Sequence, residues 1–255
     1  MPISVKTEKQ IVSMRKGGAI LALVMRRLGE MIAPGVSTAA LDGLAEELIL
    51  AHGGTPSFKG YGEKNNPFPA TLCVSFNDEV VHGIPTKDKL ISAGDLVKID
   101  VGMRYEGMHT DMARTFAVGM VSKEALNLVS AAEQAFWDGV AKLKDGAYLA
   151  DYSKAAERAV KKAGFTVVRN LVGHGIGKEL HEEPQVPNFY ERAYRPVRLS
   201  AGMTLALEPM VNAGSANTYV GKDGWAYKTS DGALSAHYEN TVLITKDGAE
   251  VLTQE

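Results

Sequence analysis

KIDVGMRYEGMHTDMART, residues 98 to 115, sets Asp100 and Asp111 among apolar neighbours (Ile99, Val101, Met112 and Phe116) with a Gly-containing bend between them. The flanking runs read as two strands and the bend as a hairpin. A hairpin centred between Tyr105 and Glu106 places the two aspartates directly opposite each other, on one face of the sheet. Two carboxylates about 5 Å apart at an effective dielectric of about 20 repel by roughly 3 kcal/mol, and like charges set opposite each other destabilise a sheet. Solvent exposure, a shared proton or a cation could relieve this. The apolar neighbours argue against full exposure, and a one-residue bulge at Gly107 would shift the register.

Outward from the hairpin, residues 8 to 32 carry apolar side chains at helical spacing and end at Pro34-Gly35. Ser37 and Thr38 open a second helix that stops at Gly53 and Gly54. A loop rich in Gly, Pro and Asn (GYGEKNNPFP) leads to strands at 71–76, 96–103 and 109–117. The order then recurs. A helix over 122–143 is broken at Asp145-Gly146, a second helix spans 148–165, and strands follow at about 167–172, 203–212 and 233–245. Displacing the first half by 111 positions sets Gly35 on Gly146, Ala45 on Ala156, Glu46 on Glu157 and Gly53 on Gly164. This predicts two related halves, roughly 1–120 and 121–255, within one α+β domain whose helices cover one face of a mostly antiparallel sheet.

Composition narrows the class. A net charge of -2 offers no basic field of the kind nucleic-acid binding uses. The single cysteine, Cys73, excludes an intramolecular disulfide and fits a reducing compartment. The polar start, MPISVKTEKQ, has no apolar core of a signal peptide, and no apolar run approaches the roughly 20 residues of a membrane span. The expectation is a cytoplasmic protein with no membrane partner, and nothing in the sequence argues for an obligate oligomer.

Three further motifs bear on the aspartate pair. GHGIGKELHEEP (173–184) flanks His174 with glycines, leaving its approach unobstructed, and places His181 seven residues later. Glu208, in MTLALEPMV, has almost entirely apolar neighbours, and Glu239 lies in the strand-like run LSAHYENTVLIT. Lone strand acids usually face solvent and lone histidines are more often structural, but a buried carboxylate costs several kcal/mol unless it is paired or coordinating. Four carboxylates neutralise two divalent cations. An oxygen-rich set with one imidazole and no thiolate suits Co, Mn, Fe, Zn or Ni rather than a structural zinc site. Two such ions about 3.5–4 Å apart activate water and polarise a carbonyl, which is metal-assisted hydrolysis.

NDEVVHGIP (77–85), KIDVG with HTDMART, GHGIGKELHEEP, ALEPMV and SAHYENTV, in this order over most of residues 6–247, resemble type I methionine aminopeptidases. The resemblance implies the pita-bread fold, two pseudo-symmetric halves around a curved sheet. It also implies five metal ligands: Asp111 and Glu239 bridging two ions, Asp100 on one, and His174 with Glu208 on the other. Glu208 is further implied in proton transfer, and His82 and His181 as the two non-ligand histidines beside the scissile amide. Phe58, Tyr61, Phe68, Cys73 and Trp225 match the wall of the methionine pocket. Between Tyr61 and Phe68 the chain carries extra residues, and Leu180 stands where an aromatic is common. The implied reaction removes the initiator methionine from nascent chains when the second residue is small, near the ribosome, by a monomer. A proline-specific peptidase is the alternative within the fold, and a non-catalytic binding protein the alternative outside it.

Overall fold

The computed structural model describes residues 3–254; the Met1-Pro2 start lies outside them. The first half runs α1 (Glu8–Met31), α2 (Thr38–Ala51), β1 (Thr55–Pro56), β2 (Leu72–Phe76), β3 (Glu79–Val81), β4 (Leu96–Tyr105) and β5 (Met108–Ala117). The second runs α3 (Lys123–Val140), α4 (Leu149–Lys162), β6 (Thr166–Val167), β7 (Gly173–Gly175), β8 (Glu182–Val186), β9 (Thr204–Leu207) and β10 (Met210–Asn212). It ends with β11 (Thr218–Val220), β12 (Tyr227–Thr229), β13 (Ser235–His237), β14 (Glu239–Ile244) and β15 (Ala249–Val251). The helix starts follow side-chain chemistry. Thr7 and Gln10 form a reciprocal capping box on α1, while Ser37 and Ser122 cap α2 and α3.

The repeat read from the sequence is present in three dimensions. The 111-residue displacement carries both ends of α2 onto the ends of α4. Gly35 and Gly146 both have positive φ (89° and 78°), as do Gly53 and Gly164 (77° and 86°). The residue before each helix makes the same isolated bridge, Ser37 to Leu90 and Tyr148 to Arg198. A further echo escaped the sequence reading: Ser-Ala-Gly occurs at 92–94 and again at 200–202. Gly94 N donates to Val118 O at 2.7 Å, and Gly202 N donates to Ile244 O at 2.9 Å.

A nine-stranded antiparallel sheet holds the molecule together, in the order β1-β4-β5-β14-β9-β7-β8, with β2 also on β4 and β15 also on β14. Strand alternation gives the sheet two different faces. Val97, Ile99, Val101, Met103 and Met112 pack under α1 and α2. Leu205, Leu207, Val242 and Ile244 pack under α3 and α4. The opposite face carries Asp100, Asp111, Ala206 and Glu239. This is the α+β pita-bread architecture, with both helix pairs on one side of the curved sheet and the acids on the other.

Four expectations are corrected. The β4–β5 turn is the two-residue loop Glu106-Gly107, both at positive φ (47° and 83°), which suits the right-handed strand twist. The register is therefore Asp100 to Ala113 and Gly102 to Asp111, with no bulge along the ladder. The aspartates are diagonal neighbours on one face rather than directly opposite. The run 203–212 is two strands broken at Glu208-Pro209, because proline cannot continue the ladder and the chain crosses to a small sheet, β13-β10-β6. The run 233–245 is likewise broken, at Tyr238, where the chain returns to the large sheet. The strand expected at 167–172 ends at Val167, and the chain re-enters the large sheet at Gly173.

Candidate metal centre and substrate cavity

Both chain crossings point acids at the same spot. Glu208 sits in the break between β9 and β10, and Glu239 opens β14, beside Ala113 of β5. His174 lies in β7, paired with Ala206. Ligand atoms of Asp111, His174 and Glu239 fall within 4.8 Å of one another, and so do those of Asp100, His237 and Glu239. His174 Nε2 is 3.6 Å from Glu208 Oε1. The five residues expected to form one cluster are thus brought together, and Glu239 is common to two three-donor groups.

The cluster is poorly satisfied by protein alone. Asp100 Oδ1, Asp111 Oδ1 and Glu239 Oε1 are buried without a hydrogen-bond partner among the described residues. Burial raises all four carboxyl pKa values: Asp111 is raised further by Asp100 and Glu208, Glu208 by Asp100, and Glu239 by Asp111 and Glu208. Buried, mutually repelling oxygens with free lone pairs are what a divalent cation satisfies, so the residues present fit such a group. Cys73 faces Asp100 across the β2–β4 ladder. Burial and then the neighbouring carboxylates push its thiol up, so it stays a neutral wall rather than a thiolate donor.

Backbone mounts hold the acids in place. The Thr241 hydroxyl accepts from Asp111 N at 2.8 Å and donates to Asp111 O at 3.0 Å. From the helix side of the sheet, Arg114 donates to the carbonyls of Ala113 and Glu239 at 2.8 and 2.6 Å and stacks on Tyr238. Neither Thr241 nor Arg114 was singled out by the sequence, although both lie inside the motifs that were. His237 was also missed. Its signal was there, since it stands two residues before Glu239.

A cavity of about 280 Å³ opens over the cluster. Phe58, Tyr61, Phe68, Cys73, Leu180 and Trp225 line it, together with His82, Asp100, Asp111, His174, His181, Glu208 and Glu239. All twelve residues expected in the site therefore meet in one place. The extra residues between Tyr61 and Phe68 leave the wall intact, because the excursion is closed at its base. Phe68 N donates to Tyr61 O at 2.7 Å and Gly60 N to Phe68 O at 2.8 Å. Phe68 meets the Trp225 ring edge-on, 5.2 Å between centroids.

His82 is held at φ 60°, an uncommon conformation for a side-chain-bearing residue. Gly83 follows because a Cβ there would lie 2.2 Å from Val74 O. This tight turn aims the His82 ring past Tyr227 and Trp225, with centroids at 5.7 and 6.4 Å. Burial, then the nearby His181, lower its pKa to about 4. His181 stands at the cavity mouth, 4.2 Å ring to ring from His174, and burial lowers its pKa too. Both imidazoles are neutral at pH 7.

Fold and site together define a metal-dependent peptidase. The model of metallopeptidase family M24 matches residues 12–246. A methionine aminopeptidase of Clostridium perfringens is 49% identical over 98% of both chains. The crystal structure of a Thermotoga maritima methionine aminopeptidase superposes with a TM-score of 0.95 at 40% identity, covering 99% of this chain and 100% of that one. A prolidase from Pyrococcus furiosus superposes less closely, with a TM-score of 0.79 at 25% identity over 98% of this chain and 65% of its own. The chain belongs to metallopeptidase family M24 and, within it, to the methionine aminopeptidases.

Proposed function

We propose that this chain removes the N-terminal methionine from nascent proteins and peptides when the second residue is small. The observation that carries this reading is the convergence of Asp111, His174 and Glu239 donor atoms within 4.8 Å on the floor of an apolar cavity, with unpartnered Asp100 and Asp111 oxygens beside them. We assign Asp100, Asp111, His174, Glu208 and Glu239 as ligands of two divalent ions, drawn from Co, Mn, Fe, Zn or Ni. When bound, such ions act as Lewis acids toward water and the scissile carbonyl.

The protein's own groups do the rest. Phe58, Tyr61, Phe68, Cys73 and Trp225 enclose the methionine side chain and exclude water from it. Glu208, at the cluster edge beside His174, takes the proton released by the attacking water and returns it to the departing amine. His82 and His181, both neutral, donate N–H to the substrate carbonyl and steady the amide nitrogen as charge develops.

The full 255 residues act as one catalytic unit, with halves near 1–120 and 121–255, working as a monomer in the cytoplasm on chains emerging from the ribosome. No helix among the described residues is long and apolar enough to cross a membrane. Turnover of a Met-Ala-Ser peptide against a Xaa-Pro peptide, with Mn or Co added, tests the proposal. Preferred cleavage of Met-Ala-Ser supports it, and preferred cleavage of the Xaa-Pro peptide overturns it.

A further inference from the structure

His237 is 1% exposed, and neither ring nitrogen has a hydrogen-bond partner among the described residues. Its backbone is fixed on both sides by one hydroxyl: His237 N donates to Thr115 Oγ1 at 2.9 Å, and Thr115 Oγ1 donates to His237 O at 2.8 Å. The β10–β13 ladder sets it opposite Met210, just past the chain crossing that carries Glu208. So mounted, Nε2 lies 3.6 Å from Glu239 Oε2 and 3.9 Å from Glu208 Oε2.

The His174 imidazole shows the same spacing with a different wiring. Its Nε2 is 3.6 Å from Glu208 Oε1, and its Nδ1 is 2.8 Å from the carbonyl of Gly175. A carbonyl accepts only, so Nδ1 carries the proton and the Nε2 lone pair faces the cluster, as a metal ligand requires. His237 has no such carbonyl on Nδ1. A neutral imidazole has one N–H. On Nδ1 that proton would be buried with nothing to accept it, which is costly. On Nε2 it faces two carboxylates.

From this we infer that His237 is a positioning residue of the opposite tautomer to His174: its Nε2–H is directed between Glu208 and Glu239 and orients both carboxylates toward the cations. The separations are longer than a formed hydrogen bond, and a small rotation of either carboxylate toward Nε2 closes one of them. The inference rests on the metal centre proposed above. Outer partners of this kind are worth about 10–100-fold in metal affinity.

The test is calorimetric Mn titration of the wild type, His237→Gln, His237→Leu and His174→Gln, with histidine 15N NMR of the Zn-loaded wild type. His237→Gln keeps an N–H donor and is expected to hold metal within about 3-fold of wild type, whereas His237→Leu weakens it about 10–100-fold. The NMR spectrum should show His237 protonated on Nε2 and His174 on Nδ1. Wild-type affinity in His237→Leu overturns the inference. So does loss in His237→Gln as deep as in His174→Gln, or a coordinated Nε2 on His237, either of which makes His237 a ligand. If the wild type and His174→Gln bind Mn equally weakly, the metal centre itself fails, which is a different result.

Discussion

The Tyr61 hydroxyl lies 2.5 Å from His181 Nδ1, with the two rings 5.0 Å apart and tilted by 50°. Burial, then Glu179, raise the Tyr61 pKa, so the phenol keeps its proton; burial lowers that of His181, so the imidazole is neutral. The phenol is therefore the donor and Nδ1 the acceptor, which leaves the His181 proton on Nε2. A pocket-wall residue thus sets the tautomer of the histidine that is to donate to the substrate. Tyr61→Phe removes this control without removing the ring. Losing one hydrogen bond worth about 1 kcal/mol corresponds to roughly a 5-fold fall in kcat. Unchanged kcat in Tyr61→Phe would separate the contact from catalysis.

His181→Ala removes the donor itself. A single preorganised donor to a developing oxyanion is worth about 10²–10³ in rate, so kcat is expected to fall by that factor while metal content, measured by elemental analysis, stays at the wild-type level. Metal content falling in step with activity would make His181 a ligand.

Asp111→Asn tests the shared cluster. The amide is close in size to the carboxylate, and Thr241 bonds the backbone of residue 111 rather than its side chain, so the fold is retained. The lost charge is expected to abolish metal-dependent turnover of a Met-Ala peptide, with unchanged circular dichroism. Near-normal turnover by a metal-loaded variant sinks the ligand assignment.

Removing metal exposes the electrostatics of the empty cluster. Burial pushes the Asp100 carboxyl up to about 7, and Asp111, Glu208 and Glu239 are raised as well. An unfolded chain releases these protons near pH 4. Between the two values the native state holds more protons than the unfolded state, so stability falls as pH rises through this window. Urea midpoints in chelator are expected to drop from pH 5 to pH 8. Added Mn, which replaces those protons, restores stability by linkage and does so increasingly toward pH 8. A chelated protein equally stable at pH 5 and pH 8 contradicts this account.

Much of the fold is legible in the sequence itself. The helix pairs announced themselves by periodicity, Ser caps and Gly stops, which are local signals. The Asp100/Asp111 face was legible because alternation fixes the face even when the register slips by two. The register itself was not, because the turn was placed one residue too early and only Glu106 and Gly107 together meet the demand for two positive φ values. Glu239 was rightly read in a strand, but Glu208 read as a residue inside one, and the break at Tyr238 went unseen, because apolar runs do not reveal where a chain changes sheets. For His237 the local signal was only its place two residues before Glu239; its partners, Thr115 and Glu208, are brought to it by the chain crossings, which no local pattern encodes.

Substrate choice follows from the shape of the cavity. Its floor is the carboxylate cluster and its wall is aromatic, with Tyr61 and Phe68 joined at the base and Trp225 across from them. On the proposed function, methionine in this space would set the scissile carbonyl between the cluster and the two histidines. His82 is fixed by its strained turn and His181 by Tyr61, so neither yields easily. A bulky second residue must then press on this wall and displace the carbonyl. A shift of about 1 Å costs about 10²-fold in rate. Met-Gly, Met-Ala, Met-Ser and Met-Pro peptides are expected to exceed Met-Lys, Met-Leu and Met-Glu by at least about 10²-fold in kcat/KM. Comparable turnover of Met-Leu and Met-Ala peptides refutes the closed wall even if the metal chemistry stands.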